Sequence, residues 1–340
     1  MNAPIVHGGG ITAAAASFGG RLEDWLDLST GINPIPAALP EIPARAWHRL
    51  PDRHLIETAR HAARDHYRSG GILPLPVPGT QSVIQLLPRL VPVGGLSAAE
   101  GRRVAILSPT YGEYARAFTA AGFVVDAVDS IDDIGAQHRL AVVVNPNNPD
   151  GRIHAADRLE ALHERLKAGG GFLVVDEAFG DTSPDTSLAP RAARLSNLII
   201  FRSFGKFFGL AGLRLGFAIA RGDILARFED WLGPWAVSGP ALSIAGLLLS
   251  SDVSGIATSI AERQAGLHAV LAGAGLVIAG GTPLFTLVAD ARAGDIYTTL
   301  CRHHILVRRF DYAPDWLRFG LAPDAADDAR LAAALRSIDR

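Results

Sequence analysis

Apolar positions along the chain follow two alternating rhythms. A helical pattern runs from about residue 53 to Tyr67. Val83, Ile84, Leu87, Leu90 and Val91 recur at helical spacing and predict a helix over 80–91, disturbed late by Pro88. Six short apolar runs then follow: Val104–Leu107, Phe123–Val125, Ala141–Val144, Phe172–Val175, Leu198–Phe201 and Leu215–Ile219. Runs of this length without polar alternation suit strands buried on both faces. Between them lie helical stripes, Leu159/Leu162/Leu166, closed by Gly169–Gly171, and Ile224/Leu225/Phe228/Trp231/Leu232. Strand–helix alternation predicts an α/β fold with a mostly parallel sheet covered by helices on both faces.

Both ends of the chain read differently. Residues 1–50 begin Gly- and Ala-rich and continue through an irregular, proline-punctuated stretch up to Pro51. After about residue 275, strand-like segments near 284–288, 305–308 and 316–321 bracket a helix near 294–303, and a last helix carries Leu331, Leu335 and Ile338. The expected organisation is an N-terminal arm over 1–50, a large domain over 51–275 and a smaller α+β domain over 276–340, joined in space by the N-terminal segment.

The 340 residues are 49% hydrophobic, which excludes a disordered or fibrous chain. Lys and Arg number 32 against 34 Asp and Glu, so no basic field points to nucleic acid. Cys301 is the only cysteine, which excludes an internal disulfide and a Cys-rich metal site. His48, His54, His61 and His66 fall at irregular, surface-like spacing, and no metal site is assigned. No apolar run reaches the ~18 residues of a membrane span. Without a basic-then-apolar leader pattern, a cytoplasmic protein is expected.

The chemistry concentrates in a few segments. Ser203-Phe204-Gly205-Lys206 follows a buried strand, and Arg214 comes eight residues later. A lysine so placed suits a Schiff-base nucleophile, with Arg214 holding a phosphate or depressing the lysine pKa. Taken alone, both are equally well solvated loop cations. Asp176 ends the strand Phe172–Val175, facing the crevice where such sheets bind ligands, and an acid there can pair with a protonated pyridine nitrogen. Asn145–Gly151 is either a plain turn or a mount for Asn148 as an amide donor. Gly79-Thr80-Gln81 opens a helix, where backbone N–H groups bind phosphate. Glu177 is not paired with Asp176, because neighbours on a strand face opposite ways.

Together, in this order, these residues resemble the fold-type I pyridoxal-phosphate enzymes of the class I/II aminotransferase family. The resemblance covers nearly the whole chain. It implies that Lys206 carries the cofactor and moves protons, that Asp176 keeps the ring nitrogen protonated, and that Asn148 bonds the ring 3-oxygen. Tyr111 would stack on the ring, and Gly79, Thr80, Gln81, Ser203 and Arg214 would hold the cofactor phosphate. Two positions depart from the family pattern. Phe179 stands where a tyrosine is common, and Leu50 stands where a tyrosine often reaches the partner subunit.

The segments His7–Gly10, Leu28–Pro34, Ile305–Arg308 and Trp316–Phe319 are similar to the threonine-phosphate decarboxylase branch of this family, close to the histidinol-phosphate aminotransferases. That similarity implies that His7, the backbone of Gly8 and Gly9, and Arg308 bind a substrate phosphate, that Arg318 pairs with a carboxylate, and that Asn33 contacts the amino-acid part. Outside the resemblance, a mobile tail and a solvated strand end explain the same residues. The implied reaction is decarboxylation of L-threonine O-3-phosphate in cobalamin synthesis. Transamination with the same cofactor residues is the alternative, and a homodimer is the implied assembly.

Overall fold

The computed structural model describes Ile5, residues 7–91 and residues 102–338. Seven strands form the larger sheet, in the order Leu75–Val77, Gly216–Ala220, Leu198–Ser203, Phe172–Asp176, Leu140–Val144, Arg103–Leu107, Val124–Val128. The last five run parallel, while Leu75–Val77 and Gly216–Ala220 are antiparallel to their neighbours. All five residues of Leu140–Val144 are buried, and they divide by parity. Ala141 and Val143 join one apolar core with Leu159, Leu162 and Leu166, and Leu140, Val142 and Val144 join another with Tyr114, Phe118 and Phe228. Helices therefore cover both faces, which is why the sequence shows unbroken rather than alternating apolar runs.

The second sheet has five strands, in the order Leu26–Leu28, Ile305–Phe310, Ala313–Gly320, Phe285–Ala289, Ile278–Thr282. Leu26–Leu28 pairs in parallel with Ile305–Val307, so the N-terminal segment joins the C-terminal sheet. Gly151 fastens this sheet to the large one. It sits at φ +73°, and a Cβ there would overlap the carbonyl of Gly281, while the Gly281 N–H donates to Asp150 O at 3.0 Å.

The structure departs from the sequence reading in several places. The helix expected over 80–91 ends at Ile84, and a 3₁₀ turn over Leu87–Leu90 follows with Pro88 in it. The helix Gly239–Leu248, capped by Ser238, has no counterpart in the sequence reading. His66 is not a surface residue, because it packs onto Asp181 at 3.0 Å. Among the described residues no helix is long and apolar enough to cross a membrane.

Candidate active site

The loops that leave the C-terminal ends of the parallel strands converge at one edge of the large sheet, where open α/β sheets bind ligands. Two adjoining cavities open there. The inner one, about 190 Å³, is lined by Gly79, Thr80, Gln81, Asp176, Ser203 and Arg214, among others. The outer one, about 500 Å³, takes in His7, Gly8, Gly31, Arg308, Tyr312 and Arg318. Tyr111, Asn148, Phe179 and Lys206 line both.

Lys206 sits on the single helical turn Phe204–Phe207 directly after Leu198–Ser203. Desolvation lowers its pKa from the usual 10.5; Asp176 opposes this, and Arg318 and Arg214 reinforce it. Its ammonium lies 5.0 Å from the centre of the Phe179 ring. Asp176 is 4% exposed, and burial raises its pKa. The Tyr114 hydroxyl, donating to Oδ2 at 2.8 Å, opposes that rise, as do the Lys206 charge and the Ala178 N–H at 3.0 Å. Asn148 Oδ1 accepts from Arg318 Nη1, which commits the oxygen end and turns the NH₂ end into the ligand donor. The Tyr111 hydroxyl donates to Gln81 Oε1 at 3.1 Å, and burial pushes its pKa up to about 12.

In the outer cavity Arg308 and Arg318 face each other across adjacent antiparallel strands. Like charges directly opposite destabilise a sheet unless an anion lies between them. Burial, then Arg308, pushes the Arg318 pKa down to about 10. Arg318 spends Nη1 on Asn148 and Nη2 on Ser29 O at 2.8 Å, and its buried Nε has no hydrogen-bond partner among the described residues. His7 Nε2 donates to Glu113 at 2.8 Å, and its ring lies 5.7 Å from that of Tyr111.

Two expected substrate contacts line neither cavity. The Gly9 N–H donates to Ser29 Oγ at 2.7 Å. Asn33 is buried and clamps the lysine turn instead: its N–H donates to Lys206 O at 2.9 Å and its Nδ2 to Phe207 O at 3.0 Å. Glu177 is structural, with Arg202 at 2.8 Å and the Leu188 N–H at 2.7 Å. Leu50 is 65% exposed, outside the site. Tyr114, Glu113 and Ser29 escaped the sequence reading. Their partners lie far off in sequence, and no local spacing announces them.

The sequence pattern described as "Aminotransferase class I and II" matches residues 23–335. The chain belongs to this family. Among class I and II members it is 62% identical over 339 residues to the threonine-phosphate decarboxylase of a Sinorhizobium species, covering 100% of both chains. It is 41% identical to the Pseudomonas aeruginosa protein of the same name, over 97% of each. The crystal structure of the Sinorhizobium meliloti histidinol-phosphate aminotransferase in complex with pyridoxal-5'-phosphate superposes with a TM-score of 0.82, at 22% identity over 99% of this chain and 95% of that one, a likeness of fold.

The inner cavity fits a phosphorylated pyridine. A Cβ on Gly79, at φ +74°, would fall 2.9 Å from Arg214 Nη2, so a glycine here keeps the guanidinium reachable. Thr80, Ser203 and Arg214 could donate to a phosphate, Asp176 could pair with a protonated ring nitrogen, and Lys206 lines both cavities. Phe179 has no donor, so a ring 3-oxygen could be served by Asn148 alone of these two.

Proposed function

We propose that the chain decarboxylates L-threonine O-3-phosphate to (R)-1-aminopropan-2-yl phosphate and CO₂, using pyridoxal 5'-phosphate, in the cytoplasmic synthesis of cobalamin. The observation that carries the reading is the meeting of Lys206 with the facing pair Arg308 and Arg318 in one cavity. The 62% identity to a threonine-phosphate decarboxylase supports the same substrate.

Bound in the inner cavity, the cofactor supplies a carbonyl that condenses with amines and a ring that accepts the electron pair of a broken bond. Gly79, Thr80, Gln81, Ser203 and Arg214 hold its phosphate. Asp176, anionic, keeps the ring nitrogen protonated, and Tyr111 stacks on the ring face. Lys206 offers its amine in neutral form, which its lowered pKa favours. In the outer cavity His7, Gly8 and Arg308 bind the substrate phosphate, and the Arg318 guanidinium meets the carboxylate. Two anions gripped at fixed separation orient the Cα–carboxylate bond, so binding energy far from the reacting carbon is used for positioning. When the Cα–carboxylate bond breaks and CO₂ leaves, Lys206 would pass to Cα the proton that its amine had taken from the substrate ammonium.

A homodimer belongs to the same reading. Trp47 is 70% exposed, Leu50 65% and Trp235 56%, and Pro51, Arg53 and Trp235 line one cavity of about 620 Å³. An exposed apolar surface of that kind suits a second copy. The decisive test incubates the loaded protein with L-threonine O-3-phosphate and no 2-oxo acid. CO₂ and aminopropanol phosphate should form, and Lys206→Ala should abolish both. Amino transfer from histidinol phosphate to 2-oxoglutarate, without CO₂, would overturn the reading of the substrate site and leave that of the cofactor site standing.

A further inference from the structure

We propose that Glu113 is a positioning residue that latches the N-terminal arm over the outer cavity and turns His7 toward the substrate phosphate. The inference rests on the phosphorylated-substrate reading above. Glu113 opens the helix Glu113–Ala120, and its side chain is only 5% exposed. A carboxylate suits a helix N-terminus, but a buried one requires donors. Oε1 accepts from His7 Nε2 at 2.8 Å and faces Arg116 Nη1 at 3.5 Å. Oε2 accepts from Gln81 Nε2 at 3.0 Å and lies 3.4 Å from Gln85 Nε2. The nearest of these donors is the imidazole of the arm.

Two consequences follow from this geometry. With Nε2 engaged by Glu113, Nδ1 is the atom His7 has left for the cavity it lines. A carboxylate bonded to one ring nitrogen fixes the ring's orientation, and an imidazole carrying a proton on each nitrogen donates from both sides. The same carboxylate holds Gln81, whose Oε1 accepts from Tyr111. One buried acid thus ties a residue of the substrate cavity to two residues of the cofactor cavity. The arm also rests on this turn, because a Cβ on Gly112 would meet Ile5 Cδ1 at 3.2 Å.

The test uses the loaded enzyme, with Glu113→Gln and His7→Gln made singly and together. Glu113→Gln should raise KM for L-threonine O-3-phosphate about tenfold, with kcat falling by less than KM rises. The apparent Kd for unphosphorylated L-threonine, read from cofactor absorbance, should move less than twofold. His7→Gln lies on the exposed arm and spares the core. It should give the same KM rise, and the double variant should be no worse than either single one. Amide hydrogen exchange across residues 7–18 should accelerate at least fivefold in Glu113→Gln while Leu140–Val144 keeps its protection. Unchanged exchange in the arm, or equal losses toward phosphorylated and unphosphorylated ligand, would overturn the proposal. If the wild-type enzyme fails to turn over threonine phosphate, the substrate reading falls, and the exchange measurement still decides whether Glu113 latches the arm.

Discussion

Removing one oxygen atom tests how the site holds its acid. In Tyr114→Phe the hydroxyl that donates to Asp176 Oδ2 at 2.8 Å disappears, and the ring, fully buried against the sheet, stays. A hydrogen bond to a charged acceptor contributes about 1.5–3 kcal/mol net. Asp176 is 4% exposed, so little water replaces the lost donor. The Ala178 N–H at 3.0 Å remains, which places the loss inside that range rather than above it. At about 1.4 kcal/mol per factor of ten, the ionised carboxylate is disfavoured roughly ten- to hundredfold. The sign of the pH effect follows. Burial already raises the Asp176 pKa and Tyr114 opposes the rise, so without Tyr114 the anion is lost at a higher pH than in the wild type. The kcat of Tyr114→Phe should therefore fall about ten- to hundredfold at mildly acidic pH and recover toward wild type as pH rises. The assay is a pH profile of CO₂ release for both enzymes, with circular dichroism to confirm folding. A variant within twofold of wild type across the profile would refute the argument that Tyr114 sustains the anion.

Other perturbations reach neighbouring features. Gly31→Ala places a Cβ 2.9 Å from both Phe179 and Phe285, so overpacking of about 1–3 kcal/mol should lower the Tm; an unchanged melt would show that the rings yield freely. Arg308→Ala removes one of two facing like charges, so the cofactor-free protein should melt no lower than wild type, and the rise in Tm that inorganic phosphate gives the wild type should shrink. Burial raises the Asp176 pKa in the folded state, so the ionised group opposes folding once pH passes from the ordinary carboxylate range through the raised value. Cofactor-free Asp176→Asn should then be the more heat-stable protein at pH 8, with the gap closing as pH falls, and thermal melts across that window check it.

The large sheet was readable from the sequence because a strand buried on both faces must be apolar throughout, as Leu140–Val144 is. Lys206, Asp176 and Asn148 were readable for a related reason: each follows such a run at a position where the sheet ends. The three-residue strands Leu26–Leu28 and Leu75–Val77 were not, since pairing with Ile305–Val307 and Gly216–Ala218 defines them and no local period does. Asn33 illustrates the limit for the site. Its sequence neighbourhood points to the substrate, whereas its side chain and N–H brace the lysine turn 174 residues away. Hydrogen bonds between distant loops follow from tertiary geometry, which residue type alone does not encode.

The parallel pairing of Leu26–Leu28 with Ile305–Val307 gives the protein an order of completion on the ribosome. Leu26–Leu28 waits for a partner made roughly tens of seconds later at about 5–20 residues per second. Every strand of the seven-stranded sheet, with Lys206 and Asp176, has been synthesised before residue 221. Arg308 and Arg318, and the strand that seats the N-terminal segment, come only in the final stretch. The residues proposed for the cofactor are thus made before the two arginines proposed for the substrate. The facing arginines of the outer cavity arrive only after the seven-stranded sheet is made.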